Sequence, residues 1–486
     1  MLKKMSYLCK TIVFKIHMMI LNFLNDILWG YVLIIALLAC AIYFSIRTRF
    51  VQFRMLGETI RLLGDSSNDR QTSNDPDNHR HVSSFQAFTI SLASRVGTGN
   101  LAGVAAAIAV GGPGSVFWMW IIALIGASSA FIESTLAQLY KTKGKNSFIG
   151  GPAYYMLYGM KCRWMGILFA ILITLTFGFA FNSVQSNTIC EAMSQAFQWN
   201  NLYVGLALTL LTLLIIFGGI HRIAIVSSVI VPVMALGYII LALYIVISKI
   251  HMLPEVISTI VSHALGWEQV IGGGVGAALM QGIKRGLFSN EAGMGSAPNA
   301  AATATVTHPV KQGLIQALGV FTDTLIICSC TAFIILFSGI PINSSVQGVQ
   351  LTQQALQAEI GNSGSIFVAV AILFFAFSSI LGNYYYGEAN ILFITRRKWV
   401  LNTYRILVTG FVLFGALASL ETAWNLADLM MALMTLCNLV AISILAPQAI
   451  LLLKDYISQK KNGIKSPTFN KNMFEEKIRK NIPYWD

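Results

Sequence analysis

The sequence predicts an all-α polytopic membrane protein, and three observations carry that prediction. Only 11% of its 486 residues are charged, and 56% are hydrophobic; a soluble globular protein is roughly 25% charged. Long apolar runs recur along the whole chain, and about 20 such residues span a hydrocarbon core. The runs are continuous rather than alternating. In lipid every backbone donor and acceptor must be paired within protein, so continuous runs mean helices rather than a barrel.

About eleven spans are expected, near 27–46, 85–110, 115–140, 164–190, 202–219, 222–248, 270–305, 311–338, 364–395, 404–419 and 422–453. They form a single transmembrane domain over 25–455. Residues 47–84 are rich in Ser, Asn and Asp and read as a mobile loop. Residues 456–486 read as a basic cytoplasmic tail. Residues 1–24 are expected either to lie at the membrane interface or to be absent, with translation starting at Met18 or Met19. The net charge of +13 is a topology signal rather than a nucleic-acid one, because it sits in short segments between spans. With the first span running inward, 25 of the 33 Lys and Arg residues fall on the inner side and only Lys249 in an outer loop. That places the N-terminus outside and the C-terminus in the cytoplasm. The seven cysteines lie mostly within spans and read as small buried hydrophobes.

Two spans are interrupted by closely spaced glycines and polar residues. The first reads Ser91-Leu-Ala-Ser-Arg95-Val-Gly97-Thr-Gly99-Asn100, and the second Phe288-Ser-Asn290-Glu291-Ala-Gly293-Met-Gly295-Ser296. Glycine disfavours a helix interior by about 1 kcal/mol relative to alanine. Breaks at Gly97, Gly99, Gly293 and Gly295 free backbone groups that survive at membrane depth only in protein or beside a wet cavity. Omitting the first span leaves two sets of five, each opening on an interrupted span, in opposite orientations. That 5+5 inverted arrangement is a pointer to a transporter's midplane site. Half-helix N-termini suit a carboxylate, and unwound carbonyls suit Na⁺ or an ammonium group, so the chemistry fits an amino acid. Gly97-Thr-Gly-Asn-Leu-Ala102 also matches a relaxed dinucleotide pattern, but no strand precedes it. GxxxxGK[ST], HExxH and GxSxG are absent, so neither ATP-driven pumping nor hydrolysis has its usual motif, and no enzyme is expected.

Four strings carry a resemblance: Arg95-Val-Gly-Thr-Gly-Asn-Leu-Ala-Gly103, Gly111-Gly-Pro-Gly-Ser-Val-Phe-Trp-Met-Trp120, Gly150-Gly-Pro-Ala-Tyr-Tyr155 and Gly286-Leu-Phe-Ser-Asn-Glu-Ala-Gly-Met-Gly-Ser296. They resemble the alanine or glycine:cation symporter family (sodium:alanine symporters), over about Asn22 to Tyr456. The resemblance implies a leucine-transporter-type fold with one extra N-terminal helix. It also implies sodium-coupled import of a small neutral amino acid, alanine or glycine, through a bacterial inner membrane. Substrate is then expected at Thr98, Gly99 and Asn100 opposite Phe288, Ser289, Asn290 and Gly293. Sodium is expected at the carbonyls of Ala93 and Val96 with the hydroxyls of Ser378 and Ser379. No cofactor beyond the coupling ion Na⁺ is implied.

Ionisable groups within spans are costly and point to function or pairing. Arg95 is expected to pair with Glu291 or to help hold a carboxylate, and Lys284 and Arg285 to gate or snorkel toward an outer vestibule. Asp323 and Glu388 read as structural pairs or, with Glu291, as proton carriers should coupling be to protons, and Glu133 and Asp428 as pairing or boundary residues. Asn182, Ser183, Gln185 and Asn187 form a polar patch, of which Gln185 is the candidate for substrate contact. Phe117-Trp-Met-Trp120 reads as an interface belt. Alternatives left open by the residues are a proton-coupled transporter, a passive channel, and a sensor that binds an amino acid without moving it.

Overall fold

The computed structural model describes residues 19–64, 82–144, 147–217, 220–266, 274–342 and 348–485; the expected N-terminal segment up to residue 18 lies outside them. The chain is helical almost throughout. In order run α1 (Met19–Arg47), α2 (Leu56–Gly64), α3 (Ser84–Arg95), α4 (Gly99–Gly111), α5 (Gly114–Leu139), α6 (Arg163–Phe197), α7 (Asn201–Ile216) and α8 (Ile220–Ser248). They continue as α9 (Ile250–Leu265), α10 (Gly274–Asn290), α11 (Ala297–Ala301), α12 (Val310–Phe337), α13 (Val349–Ile360), α14 (Asn362–Ile394), α15 (Lys398–Leu417) and α16 (Leu420–Lys461). Among the described residues seven of these are long and apolar enough to cross a membrane, and an eighth crossing arises if the bent pair α8–α9 counts as one. The two interrupted stretches are split into α3 plus α4 and α10 plus α11, too short to qualify singly.

Burial grades from centre to edge. α5 packs along α12 and α10, and from Gly126 to Leu139 every one of its residues is buried. α1 is peripheral: only a third of its most apolar window is covered by protein, so the rest is left for lipid. Hydrogen bonds fix it sideways, from Trp29 Nε1 to the Asp428 carbonyl at 3.2 Å and between Ser45 Oγ and Ser128 Oγ at 3.1 Å. Trp120 departs from the expected interface belt, because its Nε1 donates to Ser329 Oγ at 2.8 Å and ties α5 to α12.

Two polar segments fold more than expected. The expected mobile loop 47–84 is helical over Val51–Arg54 and along α2, where Thr59 and Leu62 are buried. There Glu58 accepts from Tyr456 at 2.8 Å and from Arg61 at 2.7 Å; positions 65–81 of that loop lie outside the described residues. The C-terminal segment packs back on the body. Phe469 N donates to the Thr307 carbonyl, Trp485 Nε1 donates to the Gln138 carbonyl at 2.9 Å, and Lys141 Nζ stands 4.7 Å from the Trp485 ring. Its aromatics gave the signal, since a solvated tail has little use for Phe469, Phe474, Tyr484 and Trp485.

α6 and α15 cross in near contact. Ser183 Oγ donates to the Phe411 carbonyl at 3.1 Å, and Asn187 Nδ2 to the carbonyls of Gly415 and Ala418. A Cβ on Gly415 would lie under 3.0 Å from the Ser183 backbone, so only glycine fits the crossing. Gly415→Ala should therefore destabilise the protein by about 1–3 kcal/mol through overpacking. Gly410→Ala on the same helix meets nothing within 4 Å and should leave the thermal midpoint in detergent unchanged or raise it. Equal midpoints for the two variants would overturn the close-crossing account.

Candidate functional site

The first break follows from how α3 ends. Val96 leaves the helix at φ −78°, ψ 93°, and the chain re-enters one at Gly99. Asn100 Oδ1 accepts from Gly97 N at 2.9 Å, folding its side chain over the break. The carbonyls of Ala93 and Val96 then lack helical partners, and Ser379 Oγ of α14 lies 2.9 and 3.3 Å from them. The Phe375 carbonyl is a further 3.0 Å from the same hydroxyl. One hydroxyl proton serves one oxygen at a time, so this cluster stays rich in lone pairs. Ser378 is not part of it: its hydroxyl is turned onto the Phe375 carbonyl of its own helix at 2.8 Å.

The second break is wider. Glu291, Gly293 and Gly295 are left-handed, with φ of 58°, 81° and 87°, and helix resumes only at α11. Glu291 is the costly member, because a side chain strains that conformation. Its carboxylate is held by Ser94 Oγ at 2.8 Å and Ser296 Oγ at 2.5 Å. The freed amides of Gly293 and Gly295 donate to the two oxygens of Glu133 at 3.2 and 3.0 Å. Asn438 Nδ2 of α16 donates to Glu133 and to the Gly293 carbonyl, both at 2.9 Å, and Tyr155 hydrogen-bonds Asn438 in turn. A full set of donors is what makes a fully buried carboxylate tolerable.

The breaks meet. A Cβ on Gly99 would stand 3.0 Å from Ser289 Cα and 3.1 Å from the Phe288 ring. Asp323 of α12 joins them: its Oδ1 accepts from Asn100 Nδ2 at 2.7 Å, and its Oδ2 from Ser289 Oγ at 2.7 Å and Thr324 Oγ1 at 3.1 Å. Cys328 Sγ lies 3.3 Å from Asn100 and 3.2 Å from Ser289. Asn290 Nδ2 donates to Thr324 Oγ1 at 3.2 Å, while its Oδ1 accepts from Ala292 N. Gln185 Oε1 accepts from both Thr98 N at 3.0 Å and Thr98 Oγ1 at 2.6 Å. Phe288 packs between Phe181 and Trp424, ring centroids 4.4 and 4.7 Å away.

Thus Thr98, Gly99, Asn100, Phe288, Ser289 and Gln185 come together as a cluster, with Asn290 alongside and Gly293 at the far side of the second break. Within the polar patch on α6 only Gln185 reaches the cluster; Asn182 donates within its own helix, and Ser183 and Asn187 bind α15. The Arg95–Glu291 pairing is not formed, since Arg95 Nη1 donates to the Gln316 carbonyl at 3.2 Å. Lys284 and Arg285 both engage buried Asp428, at 2.7 Å and through two bonds of 2.9 and 3.1 Å, with the guanidinium 4.2 Å from the Trp424 ring. Glu388 pairs with Arg405 at 3.2 Å. Sequence reasoning had Asp323 as a structural pair or proton carrier and Glu133 as a pairing or boundary residue, and it missed Thr324, Cys328 and Trp424. An ionisable residue inside a span was the available signal for the first two.

A sodium:alanine symporter family model matches residues 14–471. The probable sodium/glutamine symporter GlnT of Bacillus subtilis (strain 168) is 53% identical over 456 residues, covering 94% of each chain. The putative sodium/proton-dependent alanine carrier protein YrbD of the same organism is 43% identical over 481 residues, covering 95% of this chain and 96% of its own. Among solved structures, a mutant manganese transporter from Eremococcus coleocola aligns with a TM-score of 0.49 at 14% identity, over 82% of this chain and 84% of its own. By the family match and these whole-length identities, this multi-pass membrane chain belongs to the sodium:alanine symporter family.

Proposed function

We propose that the chain is a sodium-coupled symporter that imports a small neutral amino acid, alanine in the first instance, by alternating access. The observation that carries this reading is the junction of two broken helices on Asp323. Side-chain donors from both broken segments converge on that carboxylate at the centre of a membrane protein, and a lone-pair-rich carbonyl cluster lies at the first break. In this reading the substrate lies among Thr98, Gly99, Asn100, Gln185, Phe288, Ser289, Asn290 and Gly293. Its ammonium faces Asp323 and its side chain faces Phe288. The close approach of Gly99 to Ser289 and Phe288 brings the two broken segments together, which favours a glycine at that position.

Sodium is read at the carbonyls of Ala93 and Val96 with Ser379. Hard oxygen donors without thiolate or imidazole suit a hard monovalent ion, and unwound carbonyls serve this role in broken-helix transporters. Ser378 joins only by releasing the Phe375 carbonyl. Counting the two broken stretches and α7 beside the longer helices gives eleven spans, which we read as one plus an inverted 5+5 with the C-terminus in the cytoplasm. No step in this cycle makes or breaks a covalent bond.

Reconstitution into proteoliposomes tests the reading directly. Radiolabelled alanine uptake should saturate, concentrate substrate, and collapse when the inward sodium gradient is removed while a pH gradient is kept. Glutamine run in parallel decides between the substrates in the relatives' names. A linear, non-concentrating flux would make the protein a channel, and binding without flux a sensor.

Asp323→Asn should cut sodium-dependent uptake by about 100-fold or more, because charge-assisted bonds of about 1.5–3 kcal/mol weaken at both broken helices together. Asn100→Ala should cut it by about 10–100-fold, because the bond at the first is lost. Each variant should keep the wild-type elution profile in detergent. Ser379→Ala should instead raise the sodium concentration for half-maximal uptake about tenfold, at little loss of maximal rate. Near-normal sodium dependence in that variant would remove Ser379 from the cation site.

A further inference from the structure

The guanidinium of Arg95 takes no part in the site built above. Arg95 is 2% exposed. Its Nη1 is used by the Gln316 carbonyl, whereas Nε and Nη2 have no protein partner. Those two nitrogens make up one edge of the guanidinium, the edge that grips a carboxylate through two parallel N–H···O bonds. Gln312 and Gln316 of α12 stand one turn apart, fully buried, and neither end of either amide has a protein partner. Buried polar groups are nearly always paired, so a group of unpaired ones points to a ligand. The fold also keeps room for the guanidinium, because a Cβ on Gly319 would run into Arg95 Nη1.

The electrostatic surroundings narrow the ligand. Glu133, Glu291 and Asp323 all lie within the field of Arg95. Each is satisfied by neutral donors, and among the described residues none closes an ion pair with it. Three buried carboxylates in that field disfavour a bare anion. A zwitterion is not disfavoured, since its ammonium is drawn to them while its carboxylate takes the fork.

We infer that Arg95, with Gln312 and Gln316, forms a second, low-affinity site for a zwitterionic amino acid on the α3 side of the first break. The Lys and Arg distribution makes that the cytoplasmic side, so the site lies on the route of release. Weak binding suits a waystation, which must accept solute and let it go. That the amino acid is the transported one rests on the symporter reading; the carboxylate preference rests on the fork alone.

The test uses purified full-length Asn100→Ala, in which the junction site is disabled, in sodium-free detergent solution. Its thermal midpoint is followed with alanine, alaninamide, propionate and chloride, each up to about tens of millimolar. Alanine should raise the midpoint saturably, while alaninamide (no carboxylate), propionate (no ammonium) and chloride should not. Adding Arg95→Gln should remove the shift. Arg95→Lys keeps the charge but lacks the fork, and should weaken alanine about tenfold; it carries the test if the Gln variant does not fold. An alanine shift that persists in either variant at full affinity overturns the proposal, as does an equal shift from propionate or chloride, or no shift at all in Asn100→Ala. Wild-type protein without sodium-dependent uptake that still shows the Arg95-dependent shift would sink the symporter reading and leave this site standing.

Discussion

A helix interrupted inside a bilayer leaves amides and carbonyls that lipid cannot pair, each costing several kcal/mol if left alone. Much of the centre of this molecule follows from that one constraint. The two amides freed at Gly293 and Gly295 call for a pair of acceptors, and the Glu133 carboxylate supplies both. A carboxylate so deeply buried needs further donors, which brings Asn438 and then Tyr155 into place. At the first break the orphans are carbonyls, and Ser379 meets them. Helices α5, α14 and α16 are thus held at the centre by polar obligations as much as by packing.

The buried charges are arranged on the same logic of local neutralisation. Asp428 answers both Lys284 and Arg285, with Trp29 and Trp424 lending ring faces to the two cations. Removing Asp428 alone would strand two buried cations, a loss larger than the pair's net contribution. Asp323 and Glu291 are handled differently, by hydroxyl and amide donors from both broken segments. Neutral donors stabilise a carboxylate without consuming its charge, so these two remain electrostatically available where two segments meet.

What was legible in the sequence divides by the kind of signal. Continuous apolar runs showed the chain to be helical and membrane-spanning, and clustered glycines located both breaks, because each is a local property of the chain. Thr98, Asn100, Ser289 and Phe288 were placed together by resemblance, and their backbone neighbourhood agrees. Asp323 was weighed and set down as a structural pair or proton carrier, since nothing local distinguishes an aspartate that pairs from one that bridges two segments far apart in sequence. Ser378 and Ser379 could not be separated either: they differ by about 100° of helix rotation, and only the packing of α14 against the first break decides which hydroxyl faces it. The segment 47–64 was read as loop from its polar composition, although Thr59 and Leu62 give α2 a buried face. The tail's aromatics were a usable signal that composition averages hid.

The wide turns in these helices have a further consequence. Three of the four described stretches of π-helix, Gly99–Gly103, Thr174–Phe181 and Thr322–Cys328, carry Asn100, Phe181 and Asp323 respectively. A π turn holds one residue more than the α turn it replaces, and such bulges recur at functional sites. Deleting a single residue between Thr322 and Cys328 would restore regular geometry without breaking the helix. Asp323 and Cys328 would then stand four residues apart and still share a face, but the residues between them would lose the wide turn that sets their backbone at the junction. In evolutionary terms, a one-residue deletion is a cheap step that keeps the fold and reshapes the junction. Relatives with altered ligand chemistry are therefore to be sought among length variants of this turn as well as among substitutions in it.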